Sequence, residues 1–236
     1  MDQLSGDVLS DMLENPDDDE FGEFDEFDEF DDQDILEIND PLSGYNRFMT
    51  QVNDKMLIWF FKPLALGYSF IVREPVRIAF SDFFDNLGFP VRFVNNLLQL
   101  KVNQAGTEIA RFGMNTTLGF FGFFDPARSC LKLYPCPEDF GQTLGYYGVG
   151  RGFHLVLPLL GPSNLRDTIG KVPDYFLDPV FYVDKMGIRL AVNGLKVVNT
   201  TSLHIDEYEA LKYDALDLYI LLRNAYEIKR LKDIEE

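Results

Sequence analysis

The chain has 236 residues and a formal charge of −18, and the excess charge is confined to one end: 18 of its 39 acidic residues lie between Asp2 and Asp40, where there is no Lys or Arg. From Pro41 onward 21 acids meet 21 bases. A neutral body with an acidic tail excludes nucleic acid as a partner, because counterion release from phosphates needs a basic face. The length suits one domain with a sizeable core. Phenylalanine is abundant, 22 residues against one Trp and two His, more than a polar solvated surface tolerates, so part of it is expected to face lipid. No uncharged run reaches the roughly 18 to 20 residues of a spanning helix; the best, Phe112 to Phe124, stops at Asp125.

In chain order, residues 1–38 read as a disordered acidic leader, whose near repeat FGEFDEFDEF holds too few aliphatics to build a core, and 39–236 as the folded domain. The start, Met1-Asp2-Gln3, has neither the charged and apolar stretches of a secretory signal nor a cysteine that could carry a lipid, so neither element is expected in this chain.

Tyr45, Phe48, Met49, Val52, Met56, Trp59 and Phe60 recur at helical spacing, and Pro63 is expected to end that helix. Pro75 suits the first turn of a second helix, striped by Val76, Ala79, Phe80, Phe83, Phe84 and Leu87 and stopped by Gly88 and Pro90. Val91, Val94, Leu97 and Leu98 mark a third helix; Val102, Ala105, Ile109 and Phe112 mark a fourth.

Between Gly113 and Gly170 glycine and proline replace periodicity, while the apolar content argues for an ordered, functional segment. Helices are expected again over Pro179 to Asn199 and Asp206 to Asp233. In the latter Asp206 would cap, and Leu211, Ala215, Leu218, Leu222 and Ala225 would form the stripe. The fold class is all-α.

Signs of enzyme chemistry are weak. GYSFI at Gly67 lacks the second glycine of a nucleophile elbow, and His154 and His204 are isolated, so neither hydrolysis nor a metal site is expected. The run GYYGVGRG, Gly145 to Gly152, has no Walker lysine, and no cofactor is expected. Its glycines make either a tight turn with a solvent-facing Arg151 or a cradle of N–H groups for a phospholipid phosphate beside Arg151. Cys130 and Cys136 fit neither a zinc pair nor a C-x-x-C motif: they form a disulfide in an oxidising compartment or remain two unpaired thiols.

The order of short segments carries more information than any of them alone. DPLSGYNRF opens the first helix and EPVR the second, and NLGFP and VNNLLQ follow. Then come RFGMNTTLGFFGFFD, FGQTLGYYGVGRG, LPLLGPSNLRD and LLRNAYE. Together, across about residues 40 to 228, they resemble the MlaA (VacJ) family of outer-membrane phospholipid-transport lipoproteins.

The resemblance implies a ring-like arrangement of amphipathic helices at the periplasmic side of the outer membrane, bound to a porin trimer, with a central channel and a glycine-rich hairpin region. Mislocalised phospholipid would pass through it to the periplasmic carrier MlaC, with no enzymatic step. On that picture Arg151, His154, Arg166, Lys185 and Arg189 are candidates for the lipid path. Lys185 and Arg189 are four apart and share a face amid Met186, Ile188, Leu190 and Val192. Cys130 and Cys136 would bracket a gate hairpin at the channel mouth and, if bridged, hold its shape. The lipidated cysteine of the family is missing from this sequence, and the acidic leader and the cysteine pair are not features of the family core. The alternative is a membrane-peripheral scaffold or docking module without lipid passage.

Overall fold

A computed structural model describes residues 38–235, so the expectation for the acidic leader lies outside the described residues. The fold is mostly helical. Helix α1 (Ser43–Met56) runs through a π-helical turn, Leu57–Phe61, directly into α2 (Lys62–Ile71). Pro63 therefore does not end the helix as expected. The Lys62 N–H bonds to Leu57 O, five residues back, and this wide turn accommodates the ring of Pro63, whose missing N–H then removes no regular α-helical bond.

Helix α3 (Glu74–Leu87) has its proline in the first turn and ends on Gly88. Helix α4 (Phe89–Leu98) starts at once with Pro90 in its own first turn, so one Gly-x-Pro serves as both stop and start. Helix α5 (Val102–Thr117) continues a full turn beyond its last expected apolar residue, Phe112.

The aperiodic region resolves into α6 (Pro126–Leu131), α7 (Phe140–Tyr146), an antiparallel hairpin of β1 (His154–Leu157) and β2 (Gly161–Asn164), and α8 (Leu165–Leu177). The hairpin pairs His154 with Asn164 and Leu157 with Gly161. Sequence periodicity shows neither the hairpin nor α8. The strands are four residues long, and α8 carries an internal proline, Pro173.

A 3₁₀ turn (Pro179–Tyr182) leads to α9 (Met186–Asp214) and α10 (Leu218–Glu235). The expected break at Asp206 is absent, and α9 runs straight through it because side chains on both sides of that position pin it to α1, α2 and α3. Buried Asn199 accepts from Tyr68 Oη at 2.9 Å and donates to Arg77 O at 2.9 Å. Lys212 Nζ lies 2.6 and 2.8 Å from the two Asp54 carboxylate oxygens. The real break comes 11 residues later, where the Asp217 carboxylate accepts from Tyr219 N at 3.0 Å and Ile220 N at 3.3 Å, which is capping geometry.

Candidate functional site

Hairpin β1–β2 has an unpaired edge, and unpaired backbone groups must find partners. Two asparagines on α1 supply them. Asn46, fully buried, accepts from Val156 N at 2.9 Å and donates to His154 O at 3.0 Å and to Asp40 Oδ1 at 2.8 Å. Asn53, two turns on, donates to Leu157 O and accepts from Leu159 N, at 2.9 and 2.8 Å. These carboxamides replace a third strand, and their spacing of seven is the only sequence sign of it.

Below the hairpin lies a buried ionic network organised by α10. Tyr219, Arg223, Tyr226, Glu227 and Arg230 project from one face of this helix, at three- and four-residue steps. Glu227 Oε1 is 2.9 Å from His154 Nδ1 and Oε2 is 3.9 Å from Arg151. Tyr219 donates to Asp40, with Arg223 at 3.5 Å from the same carboxylate. Arg230 forks onto Asp139 with two 2.8 Å bonds and reaches Asp167 at 2.9 Å. Asp167 also accepts from Tyr226 Oη at 2.7 Å, Arg166 Nε at 2.9 Å and Asn164 at 2.8 Å. The fully buried members of α10 are thus on its polar face, Tyr219 and Glu227, and the stripe Leu218, Leu222, Ala225 is not the buried one.

Two further clusters continue the pattern. Asn95 on α4 donates to Asp174 on α8 at 2.9 Å and accepts from Thr143 on α7 at 3.0 Å. Glu108 on α5, with no exposed surface, takes Arg92 Nε at 2.8 Å and the Cys136 backbone N–H at 2.7 Å.

The acid response of the network follows from Asp167. Burial pushes its carboxyl up, but the bonds and charge of Arg230, then Arg166 and Tyr226, outweigh burial and hold it at about 2 against an ordinary 3.8. A depressed carboxylate stabilises the fold fully above its unfolded value and loses that contribution as pH falls through the folded one. Stability is therefore expected to fall by about 2 kcal/mol between pH 5 and pH 2 through this group alone. Asp167→Asn should remove that part of the slope in denaturant titrations run at successive pH values.

Among the described residues, 19 buried side chains besides Tyr219 are polar or charged and seven are apolar, three of them alanine. Many large apolar side chains are outside: Trp59, Phe70 and Ile71 are 76 %, 92 % and 80 % exposed. After α5 the chain displays Leu118, Phe120, Phe121 and Phe124, with Phe120 and Phe121 in the left-handed region at φ 51° and 61°. This inverts the usual distribution, and so many large apolar side chains left exposed mark a lipid or protein interface. No single described helix is long and apolar enough to cross a membrane. Ser43–Ile71 with Glu74–Leu87 meets that test of length and composition only as a pair, bent by 117°.

The family model for the MlaA lipoprotein matches residues 38–233. The chain belongs to the MlaA lipoprotein family. The intermembrane phospholipid transport system lipoprotein MlaA of Escherichia coli is 36 % identical over 191 residues, 80 % of this chain and 75 % of that protein. Its namesake in Haemophilus influenzae is 31 % identical over 195 residues, 81 % and 78 % of the two chains. A solved structure described as the structural basis for maintenance of bacterial outer membrane lipid asymmetry superposes with a TM-score of 0.72 at 30 % identity. The match covers 83 % of this chain and 99 % of that one.

Within this MlaA fold the five sequence-nominated residues separate into two groups. Arg151, His154 and Arg166 come together: Arg166 N bonds to Arg151 O at 3.2 Å, and the three side chains join the carboxylates of Glu227 and Asp167. Arg151 is half-buried, with its guanidinium 3.9 Å from Glu227. His154 is 1 % exposed, and its Nε2 has no hydrogen-bond partner among the described residues. Lys185 and Arg189 lie elsewhere, at the start of α9. Lys185 is exposed, while Arg189 donates to Phe181 O at 3.0 Å and sits over the Phe181 ring.

Cys130 and Cys136 are free thiols, the first exposed on α6 and the second half-buried, so the bridge considered from sequence is not formed in this structure. Residues 126–139 form a short helix and a segment without regular secondary structure rather than a hairpin; the described hairpin is the one at 154–164. Asp40, Asn46, Asp139, Asp167, Glu227 and Arg230 were not singled out from sequence, although several lie inside the family-like segments.

Proposed function

We propose that this chain withdraws mislocalised phospholipid from the outer leaflet of the outer membrane, through an amphipathic passage, and hands it to the periplasmic carrier MlaC, so maintaining lipid asymmetry. The observation that carries the reading is the inversion of polarity. An apolar exterior with no single described helix long and apolar enough to span suits a body seated in one leaflet, and a polar interior offers a headgroup hydrogen-bonding groups that hydrocarbon lacks. The names of the Escherichia coli and Haemophilus influenzae relatives support the same assignment. A porin trimer would hold the body in the membrane from its periplasmic side. No covalent step is needed, since direction follows from the carrier's affinity for lipid.

In this reading Lys185 and Arg189 are the accessible cations of the path, whereas His154 and Arg166 hold the hairpin from which the path is built. Arg189 is set among the exposed Met186, Ile188 and Leu190, where a phosphate can meet charge and acyl chains can meet apolar surface. The purified chain, in vesicles carrying a labelled phospholipid, should transfer label to soluble carrier. Arg189→Glu should slow transfer about tenfold or more by reversing one charge contact, with unchanged helical circular dichroism. Carrier binding by the wild type without any transfer of label would favour the scaffold reading instead.

A further inference from the structure

Apart from the ionic network, a cavity of about 250 Å³, open to the surface, lies between α3, α4, the 3₁₀ turn and α9. Leu87, Val91 and Val180 form its apolar wall, and Arg92, Lys196 and Asp178 its charged lining. None of the three charged residues was nominated from sequence, and each has capacity left over. Lys196 Nζ makes no hydrogen bond or ion pair among the described residues. Arg92 uses Nε for Glu108 and one terminal nitrogen for Asp85 O at 2.9 Å; its other terminal nitrogen is unbonded there and is not among the buried atoms lacking a partner. Asp178 spends one carboxylate oxygen on Val180 N at 2.9 Å and has the second free. Asp85, within electrostatic reach of Arg92 and Lys196, is in no ion pair among the described residues.

We propose that this cavity is a headgroup subsite for a zwitterionic phospholipid, in which Lys196 and Arg92 take the phosphate and the free oxygen of Asp178 takes a primary ammonium. The proposal deepens the phospholipid reading above and rests on it. Two kinds of charge on one cavity select a ligand carrying both, because an anionic headgroup without an amine leaves the Asp178 carboxylate unpaired against like charge. The volume is below the roughly 300 Å³ at which sites for drug-sized ligands begin. It therefore suits a headgroup, with the acyl chains left outside on the apolar exterior. Gly88 contributes space: a Cβ there would stand 3.0 Å from the Arg92 guanidinium.

The test is calorimetric binding to the full chain in detergent, with dihexanoyl-phosphatidylethanolamine, dihexanoyl-phosphatidylglycerol and inorganic phosphate as separate probes. The ethanolamine lipid should bind about tenfold more tightly than the glycerol lipid, the worth of one charged hydrogen bond. Lys196→Glu should weaken both lipids. Asp178→Asn, which keeps the oxygen that caps Val180, should weaken only the ethanolamine lipid and so erase the preference. Both positions lie at the cavity edge, and unchanged circular dichroism will verify folding.

Equal affinity for the two lipids, undiminished binding by Lys196→Glu, or phosphate binding as tightly as the ethanolamine lipid overturns the proposal. The vesicle assay separates this failure from that of the broader reading. If Lys196→Glu binds the ethanolamine lipid and transfers label at wild-type rates, the cavity assignment falls and transport stands. If the wild type transfers nothing, the transport reading falls as well.

Discussion

Arg230→Met is expected to destabilise the fold by about 3–5 kcal/mol, the usual cost of removing one partner from a buried ion pair. The Arg230 side chain is 11 % exposed and donates to both Asp139 and Asp167. Asp139 can rehydrate when the arginine is lost, being 41 % exposed, but Asp167, at 2 %, cannot, so the cost falls mainly on the buried carboxylate. Arg230→Lys should recover only part of the loss, because an ammonium cannot reproduce the bidentate bond to Asp139 while still reaching Asp167. Denaturant unfolding in detergent micelles measures both variants. A loss under about 1 kcal/mol for Arg230→Met would show that α10 is held to α7 and α8 by packing rather than by this network.

The second large effect is expected at Gly170. A Cβ added there would lie 2.5 Å from Gly141 N and 2.8 Å from Gly141 Cα, and because both atoms are backbone no side chain can turn aside. Helices α7 and α8 would have to separate, stretching the bonds of Phe140 N to Asp174 at 3.0 and 3.2 Å. Overpacking of this kind costs about 3 kcal/mol or more when the backbone must move. Gly187→Ala and Gly194→Ala in α9 provide the control, since nothing lies within 4 Å of either added Cβ. Each of these should stabilise by about 0.5–1 kcal/mol through helix propensity. Thermal melts of the three variants side by side would distinguish a steric cause at Gly170 from a general intolerance of alanine.

Much of the helical frame was legible in the sequence because its signals are local. The proline starts at Pro75 and Pro90, the stop at Gly88 and the period of α3, α4 and α5 depend on neighbours within one or two turns. Pro63 and Asp206 misled for different reasons, one local and one from outside. At Pro63 a π-helical turn removes the conflict, and at Asp206 contacts from Asn199 and Lys212 carry α9 onward. Periodicity also read Leu211 to Ala225 as one stripe of one helix, but Leu211 belongs to α9 and Ala215 to the break, and the buried residues of α10 are Tyr219 and Glu227.

The sequence by itself determined family membership, the mostly helical class, an abundance of phenylalanine suited to lipid, and a neutral body. All of these follow from composition, local spacing and the order of short segments. Only the tertiary structure decided that the polar residues face inward, that Arg151, His154 and Arg166 join a single ionic network, and that Lys185 and Arg189 stand apart from it. It alone placed Arg92, Lys196 and Asp178 around one cavity. Charged partners far apart in sequence, such as His154 and Glu227 or Asp139 and Arg230, leave no periodic trace, because a hydrogen bond depends on where two chain segments meet and not on the residues beside either one.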